Sequence, residues 1–457
     1  MLRPTATVLA IALAACCSAP AVAADPVPPP PPAATPPVAV AAVPGAPAPL
    51  SLKDAIALSV TVIDVQLADL DRDAADAQTR VARADLLPTI DATGVYNRAK
   101  SAVTPGTRDS APLLFGPANT WDGRLHLGQQ LIDSAAWLRR SAAVANAEVA
   151  GEDKLVALER AANAAAIAYV NLATATALVD VRRQDLAIAE DLKRLADAQV
   201  QAGVAESISG TRAATQVTVV RGTLLNAQQF ADQAALTLDR AIGQPAGTPY
   251  RLSGGVDEAL AASDAPRPTA AALEALRRWR PELRSSAARL AAVRLDRRAV
   301  SAERIPTADL FADIGRTGAY LDHTATTWEA GVQVTVPIID GFRREARIDA
   351  ADIAIRRAAA QQRDLDDQLA SEVRDALIGL DAQDEQLTVA RERLRLAELE
   401  LNQARERFKS GIGTNLDVIT AQQGLSDARA GELNVRATAA NARVRLARAV
   451  GVATTLR

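Results

Sequence analysis

Hydrophobic and polar positions alternate along two short stretches of this chain. In WEAGVQVTVPIIDGF, residues 328–342, Val332, Val334 and Val336 fall on one side of an extended backbone and Gln333 and Thr335 on the other. The alternation breaks at Asp340-Gly341 into a long helical pattern with no further proline. WDGRLHLGQQLIDSA, residues 121–135, does the same 207 residues earlier, with Leu125 and Leu127 opposed to His126, Gly128 and Gln130. Each stretch has an alternating partner upstream. Ile90, Ala92 and Tyr96 oppose Thr89, Asp91 and Thr93, and Ala308, Leu310, Ala312 and Ile314 oppose Asp309 and Asp313. Four strands of about ten residues, apolar on one face and polar on the other, carry the signature of a membrane-spanning β-wall. A soluble, half-buried hairpin looks the same strand by strand.

The helical patterns between the strands are long. Prolines are absent from 118 to 244 and after Pro337, so one helix can run from Asp133 to about Ala202 and another from Phe342 to about Ser410. Rods of near 70 residues are roughly 100 Å long at ~1.5 Å per residue. Flanking helices at about 51–86 and 207–243 have near half that length, so two placed end to end match one rod. A heptad seam runs through Val373, Leu380, Leu387, Leu394, Leu401 and Phe408, with Ala390, Ala397, Ala404 and Gly411 three residues later. The first rod echoes it in Leu172, Val179, Leu186 and Val200, with Ala189, Ala196 and Gly203. Such a seam predicts left-handed coiled coils, and alanine at its second position lets helices approach closely.

The two halves are one plan repeated. Trp121 and Ile132-Asp133 recur as Trp328 and Ile339-Asp340 at an offset of 207, Pro88-Thr89 as Pro306-Thr307 at 218, and Gly203 as Gly411 at 208. Each half reads as helix, strand, loop, strand, long helix, turn, helix. The predicted organisation is a signal peptide at 1–23, a Pro-rich linker at 24–49, a first repeat at 50–247, a linker at 248–268 and a second repeat at 269–457.

Composition narrows the function. A net charge of −3 gives no basic footprint for nucleic acid, and 3% aromatics with abundant alanine favour packed helices over a thick core. Arg3 and the apolar run to Ala15 form an export signal too short to span a bilayer. Two processing patterns overlap there: Ala21-Val22-Ala23 before a signal-peptidase cut, and Leu13-Ala14-Ala15-Cys16, a lipobox that would acylate Cys16. Both cysteines, Cys16 and Cys17, lie in this segment. The Pro-rich linker could reach on the order of 70 Å, a reach that a tether from a lipid at Cys16 would use. The two histidines, His126 and His323, are too few for a metal site, and there is no catalytic constellation and no phosphate-binding glycine loop. We therefore expect no enzyme activity, no cofactor and no metal, with energy supplied by a partner.

Four strands cannot close a barrel, and an open edge in hydrocarbon leaves costly unpaired backbone groups. A shared barrel follows, with eight strands from two chains or twelve from three. From about residue 50 to 455 the chain resembles the TolC family of outer-membrane efflux channels. The resemblance is carried by the two half-repeats, the Pro-Thr strand entries at 88–89 and 306–307, the Ile-Asp exits at 132–133 and 339–340, Arg280-Pro281-Glu282-Leu283, and the segment Arg407 to Ile412. It implies a mainly α fold of long antiparallel coiled-coil helices with four transmembrane strands per chain. It further implies a homotrimer with a 12-stranded barrel in outer-membrane lipid and a 12-helix periplasmic tunnel. The implied partners are a periplasmic adaptor (membrane fusion) protein and an inner-membrane transporter. Gly203, Val204, Gly411 and Ile412 match the tips where the adaptor docks, and Asp417 falls where the family lines the periplasmic aperture. Thr414-x-x-Asp417 is also a capping box, and the two roles are compatible. Ser209 and Thr420 depart from the acidic positions, which puts a double acidic ring in doubt. The expected function is passive conduction of small molecules delivered by an inner-membrane pump. Type I protein secretion is the alternative within the class, and a periplasmic coiled-coil scaffold without a pore the alternative outside it.

Overall fold

The fold is taken from a computed structural model of the chain, which describes residues 48–103, 113–261 and 280–455. Cys16, the signal segment and the Pro-rich linker to residue 47 lie outside the described residues, as do 262–268 of the inter-repeat linker. The chain enters with β1 (Ala48–Leu50), then α1 (Leu52–Ser59) and α2 (Ile63–Ala84). Strands β2 (Thr89–Val103) and β3 (Leu113–Ile132) lead into the rod α3 (Ser134–Gln201), which turns into α4 (Ser207–Ile242). After β4 (Tyr250–Leu252) and α5 (Gly255–Ala261), the second repeat supplies α6 (Pro281–Ala302), β5 (Thr307–Tyr320), β6 (His323–Thr335), α7 (Arg343–Lys409) and α8 (Asn415–Ala449).

The rods match expectation, with 68 residues in α3 and 67 in α7. Aspartates at the strand exits start them. Asp133 accepts from the Ala136 N–H at 2.9 Å, whereas Asp340 accepts from the Arg344 N–H at 3.2 Å after a left-handed Gly341-Phe342 step. The helix predicted over 51–86 is broken between Ser59 and Ile63. The cause is a β-branched run, Val60-Thr61-Val62-Ile63, with hydroxyls that compete for the helix carbonyls. Ser59 donates to the Ile56 carbonyl at 2.7 Å and Thr61 to that of Leu58 at 2.8 Å.

The break is where two helices meet end to end. Gly243, left-handed at the end of α4, lies against Val62 at the start of α2. In the second repeat Arg280, at the entry to α6, packs on Gly451 beyond α8. The wall therefore runs α2-α3-α6-α7 at the sheet end and α4-α3-α8-α7 at the tip end. At the junction level lies the largest buried cluster, with Leu52, Ile56, Tyr169, Val170, Leu238, Ile242 and Val444. Here α3 is apolar and long enough to cross a membrane, but half of that window is buried in the chain itself, and it forms this core. The C-terminal turn is clamped to the same level, Glu159 accepting from the Ala453 N–H and the Thr454 hydroxyl at 2.9 and 2.7 Å. β1 and β4 pair in parallel beside it.

Toward the tips, the predicted α7 seam is buried at Leu401 and Phe408 and packs on Val418, Ala421 and Leu425 of α8. In α3 the buried line there is Asp185, Ala189, Leu192 and Ala196, and the predicted Leu186 and Val200 are only half-buried. A straight helix drifts by about 20° per heptad, and α3 must serve both α4 and α8. Asp185 takes a core position because it is satisfied: it pairs with Arg182 at 3.1 Å and accepts from Ser426 at 2.6 Å.

Candidate functional site

The four long strands form one antiparallel sheet in the order β2-β3-β5-β6. The register aligns Ile90, Leu127, Ala312 and Ala330 in one row across the sheet, and Ala92, Leu125, Ile314 and Trp328 in another. Cross-strand partners share a face, so the predicted apolar sides of all four strands coincide. That face is bare: Ile90, Leu125, Ile314, Trp328, Val332 and Val334 are all exposed. The strands, at 13 to 20 residues, are longer than the ten expected. The extra length extends the strands past the alternating segments that the sequence predicts.

The opposite face is polar. One row holds Asp91, His126, Asp313 and Glu329, with His126 Nδ1 2.9 Å from the Asp313 carboxylate. Asp122, salt-bridged to Arg124 at 2.9 Å, and Asp309, opposite Gln333, lie on this face too. Phe311 interrupts it, its ring lying over Gly331. Alternation alone put Asp91, His126 and Asp313 on one side. That they and Glu329 form a single row required the register, which no single strand encodes.

At the far end of the rods the two turns are near copies. Gly203 and Gly411 adopt φ of 69° and 72°. The N–H of Val204 reaches the Gln199 carbonyl at 3.0 Å, and that of Ile412 reaches Arg407 at 3.0 Å. The glycine N–H groups donate to Val200 and Phe408, each at 3.1 Å. These are paired Schellman ends, and they hold Val204 and Ile412 outward, each 76% exposed. Asp417 lies in the first turn of α8 and is fully exposed. It caps the helix reciprocally, accepting from the Thr414 N–H at 2.9 Å while its own N–H donates to the Thr414 hydroxyl at 3.2 Å. The Thr414 backbone N–H, and then its hydroxyl, hold the Asp417 carboxyl below its ordinary range. Ser209 and Thr420 make local contacts: the Ser209 carbonyl accepts from Asn415 at 2.9 Å, and the Thr420 hydroxyl donates to Leu416.

The family model of outer membrane efflux proteins matches residues 62–244 and 272–452. The chain belongs to the outer membrane efflux protein family. As a family member it is an efflux channel of the outer membrane, with its helices in the periplasm, and its work is transport. It is 25% identical over 399 residues to the probable efflux pump outer membrane protein TtgC of Pseudomonas putida, covering 85% of this chain and 80% of that protein. Among solved structures it is similar to the outer membrane channel CmeC of Campylobacter jejuni, with a TM-score of 0.76 and 18% identity over 88% of this chain and 86% of that one. It is likewise similar to VceC of Vibrio cholerae, with a TM-score of 0.72 and 20% identity over 88% and 96%. At such identities the structural likeness speaks to the fold, and membership in the efflux family rests on the family match.

Proposed function

We propose that three copies of this chain close a 12-stranded barrel and a 12-helix tunnel, through which small molecules delivered by an inner-membrane transporter pass without further energy input. The observation that carries this reading is the sheet's pair of open edges. Among the described residues β2 and β6 each lack a partner on one side, an arrangement that hydrocarbon does not tolerate. The edge helices have matching needs: α2 exposes Ile63, Leu67, Leu70 and Val81, and α7 exposes Ile353, Ile378, Val389 and Leu396. Joining the edges of successive copies pairs the strands and brings α7 of one copy to α2 and α4 of the next. The polar face then lines the pore, and its carboxylates favour cations over anions.

In this reading a periplasmic adaptor protein docks on the tips, where Gly203 and Gly411 shape the turns and Val204 and Ile412 offer apolar contacts. Three copies of Asp417 converge at the periplasmic mouth while each also caps its own helix. Mass measurement by light scattering in a mild detergent tests closure between chains. Three chains per particle are expected, and a monomer with a complete β signal would overturn it.

A further inference from the structure

The strands sort their charges by face. All the carboxylates in the paired registers, Asp91, Asp122, Asp309, Asp313 and Glu329, share the polar face with His126 and Arg124. Arg98 and Arg316 are on the other face, with Leu125, Ile314 and Trp328. Arg316 is exposed, and among the described residues no ion pair or hydrogen bond engages its guanidinium. Its register neighbours offer it none: Gly123 is opposite, Gly94 lies beyond Gly123, and Thr326 is on the other side.

Those two glycines leave room. An added Cβ at Gly94 or Gly123 would meet nothing within 4 Å, so a shallow notch lies beside the guanidinium. The next outward-facing row closes the notch with an aromatic pair, Tyr96 and Trp121, their ring centroids 4.5 Å apart. Tyr96 donates its hydroxyl to Asn119 at 3.2 Å, and Asn119 is paired with Arg98. The pair thus turns its ring bodies to the apolar band and its polar tip to the hairpin end, the posture of aromatics at a membrane interface. Arg316 lies two residues short of that row, about 7 Å along the strand. At that depth a guanidinium can reach the headgroup level, where it needs an anion.

We propose that Arg316, with Arg98 beyond the aromatic pair, binds the phosphate of a phosphorylated outer-leaflet glycolipid, whose headgroup sugar rests against Tyr96 and Trp121 and one of whose acyl chains lies in the Gly94–Gly123 notch. The flat fork of Arg316 suits two parallel bonds to phosphate oxygens. The proposal rests on the apolar face being the lipid face of the assembled barrel.

The test is native mass spectrometry of the full-length protein in mild detergent with diphosphorylated lipid A, with its dephosphorylated form, and with inorganic phosphate as competitor. The wild type should retain the phosphorylated lipid in preference to the dephosphorylated form. Arg316→Gln should weaken that retention by at least about tenfold. Gly123→Leu, which keeps the charge and fills the notch, should weaken it as well. Inorganic phosphate should not displace the lipid. Equal retention by the wild type and Arg316→Gln, equal retention of both lipid forms, or displacement by inorganic phosphate would each overturn the site. The same spectra report the number of chains, so a failure of barrel closure is read separately from a failure of lipid preference.

Discussion

Adjacent residues on β6 allow a sharp comparison, Val332→Arg against Gln333→Arg. Val332 is on the exposed apolar face, two residues from the Ala330 row. That row lies midway between Val336 and the level of Trp121, and so near the middle of the apolar band. An outward arginine costs roughly 2–4 kcal/mol at the bilayer midplane and about 0–1 near the interface. At about 7 Å along a tilted strand from the middle, we expect about 2 kcal/mol per chain, or roughly 6 kcal/mol for the three copies of one barrel. Gln333 points the other way and is paired with Asp309, so arginine there meets water and a carboxylate and should leave stability unchanged. The assay is the temperature at which the trimer dissociates on electrophoresis after reconstitution in lipid. The midpoint should fall clearly for Val332→Arg and hold for Gln333→Arg. Equal falls, or the reverse order, would refute the assignment of faces.

Asp417→Ala should raise conductance in planar bilayers and weaken block by divalent cations, because three carboxylates at a narrow mouth hold cations. A correctly assembled trimer with both properties unchanged would remove Asp417 from the pore. Because its folded-state carboxyl is held below the ordinary value of 3.8, its charge and its cap should persist at all pH values above that and fade only as pH falls through the lower value. Arg280 is 1% exposed and donates to Glu282 at 2.9 Å, to Glu372 at 2.9 Å and to the Ala449 carbonyl. Burial pushes the Glu282 carboxyl up, but the Arg280 guanidinium outweighs this and holds it below 4.5. Arg280→Ala should therefore destabilise the junction level by roughly 3–5 kcal/mol in thermal unfolding. The stabilisation from this pair should be fully present above pH 4.5 and be lost as pH falls through the lower folded value. A thermal midpoint unmoved by Arg280→Ala would show that Arg280 does not hold α6 to α8.

The parts of this fold that repeat locally were legible. Period-two alternation placed Leu125, Ile314 and Val334 on one face before any pairing was known, and the absence of proline fixed both rods to within a residue or two. Thr414 and Asp417 announced their cap by spacing alone. What stayed hidden depends on partners distant in sequence. The parallel pairing of Ala48–Leu50 with Tyr250–Leu252 joins two segments that read as linkers, since three-residue strands leave too few positions for a pattern. Asp185 reads as a surface residue of a rod, because its satisfaction comes from Ser426 and Arg429 on α8. The row of Asp91, His126, Asp313 and Glu329 exists only once β3 and β5, far apart in sequence, settle their register. Asp417 and the tip residues were singled out by resemblance, since locally they are a capping aspartate and two Schellman turns.

The sparse aromatics also decide what the molecule reveals about itself. Trp121 and Trp328 stand on the apolar side of the strands, and Trp137 lies in the first turn of α3, just below them. The remaining tryptophan, Trp279, is outside the described residues, and the rods beyond Trp137 contain none. Intrinsic fluorescence therefore comes chiefly from the membrane end, and the periplasmic tips are dark. Brominated lipids would quench the emission as the barrel inserts, and events at the tips could be followed with a single added tryptophan against almost no local background.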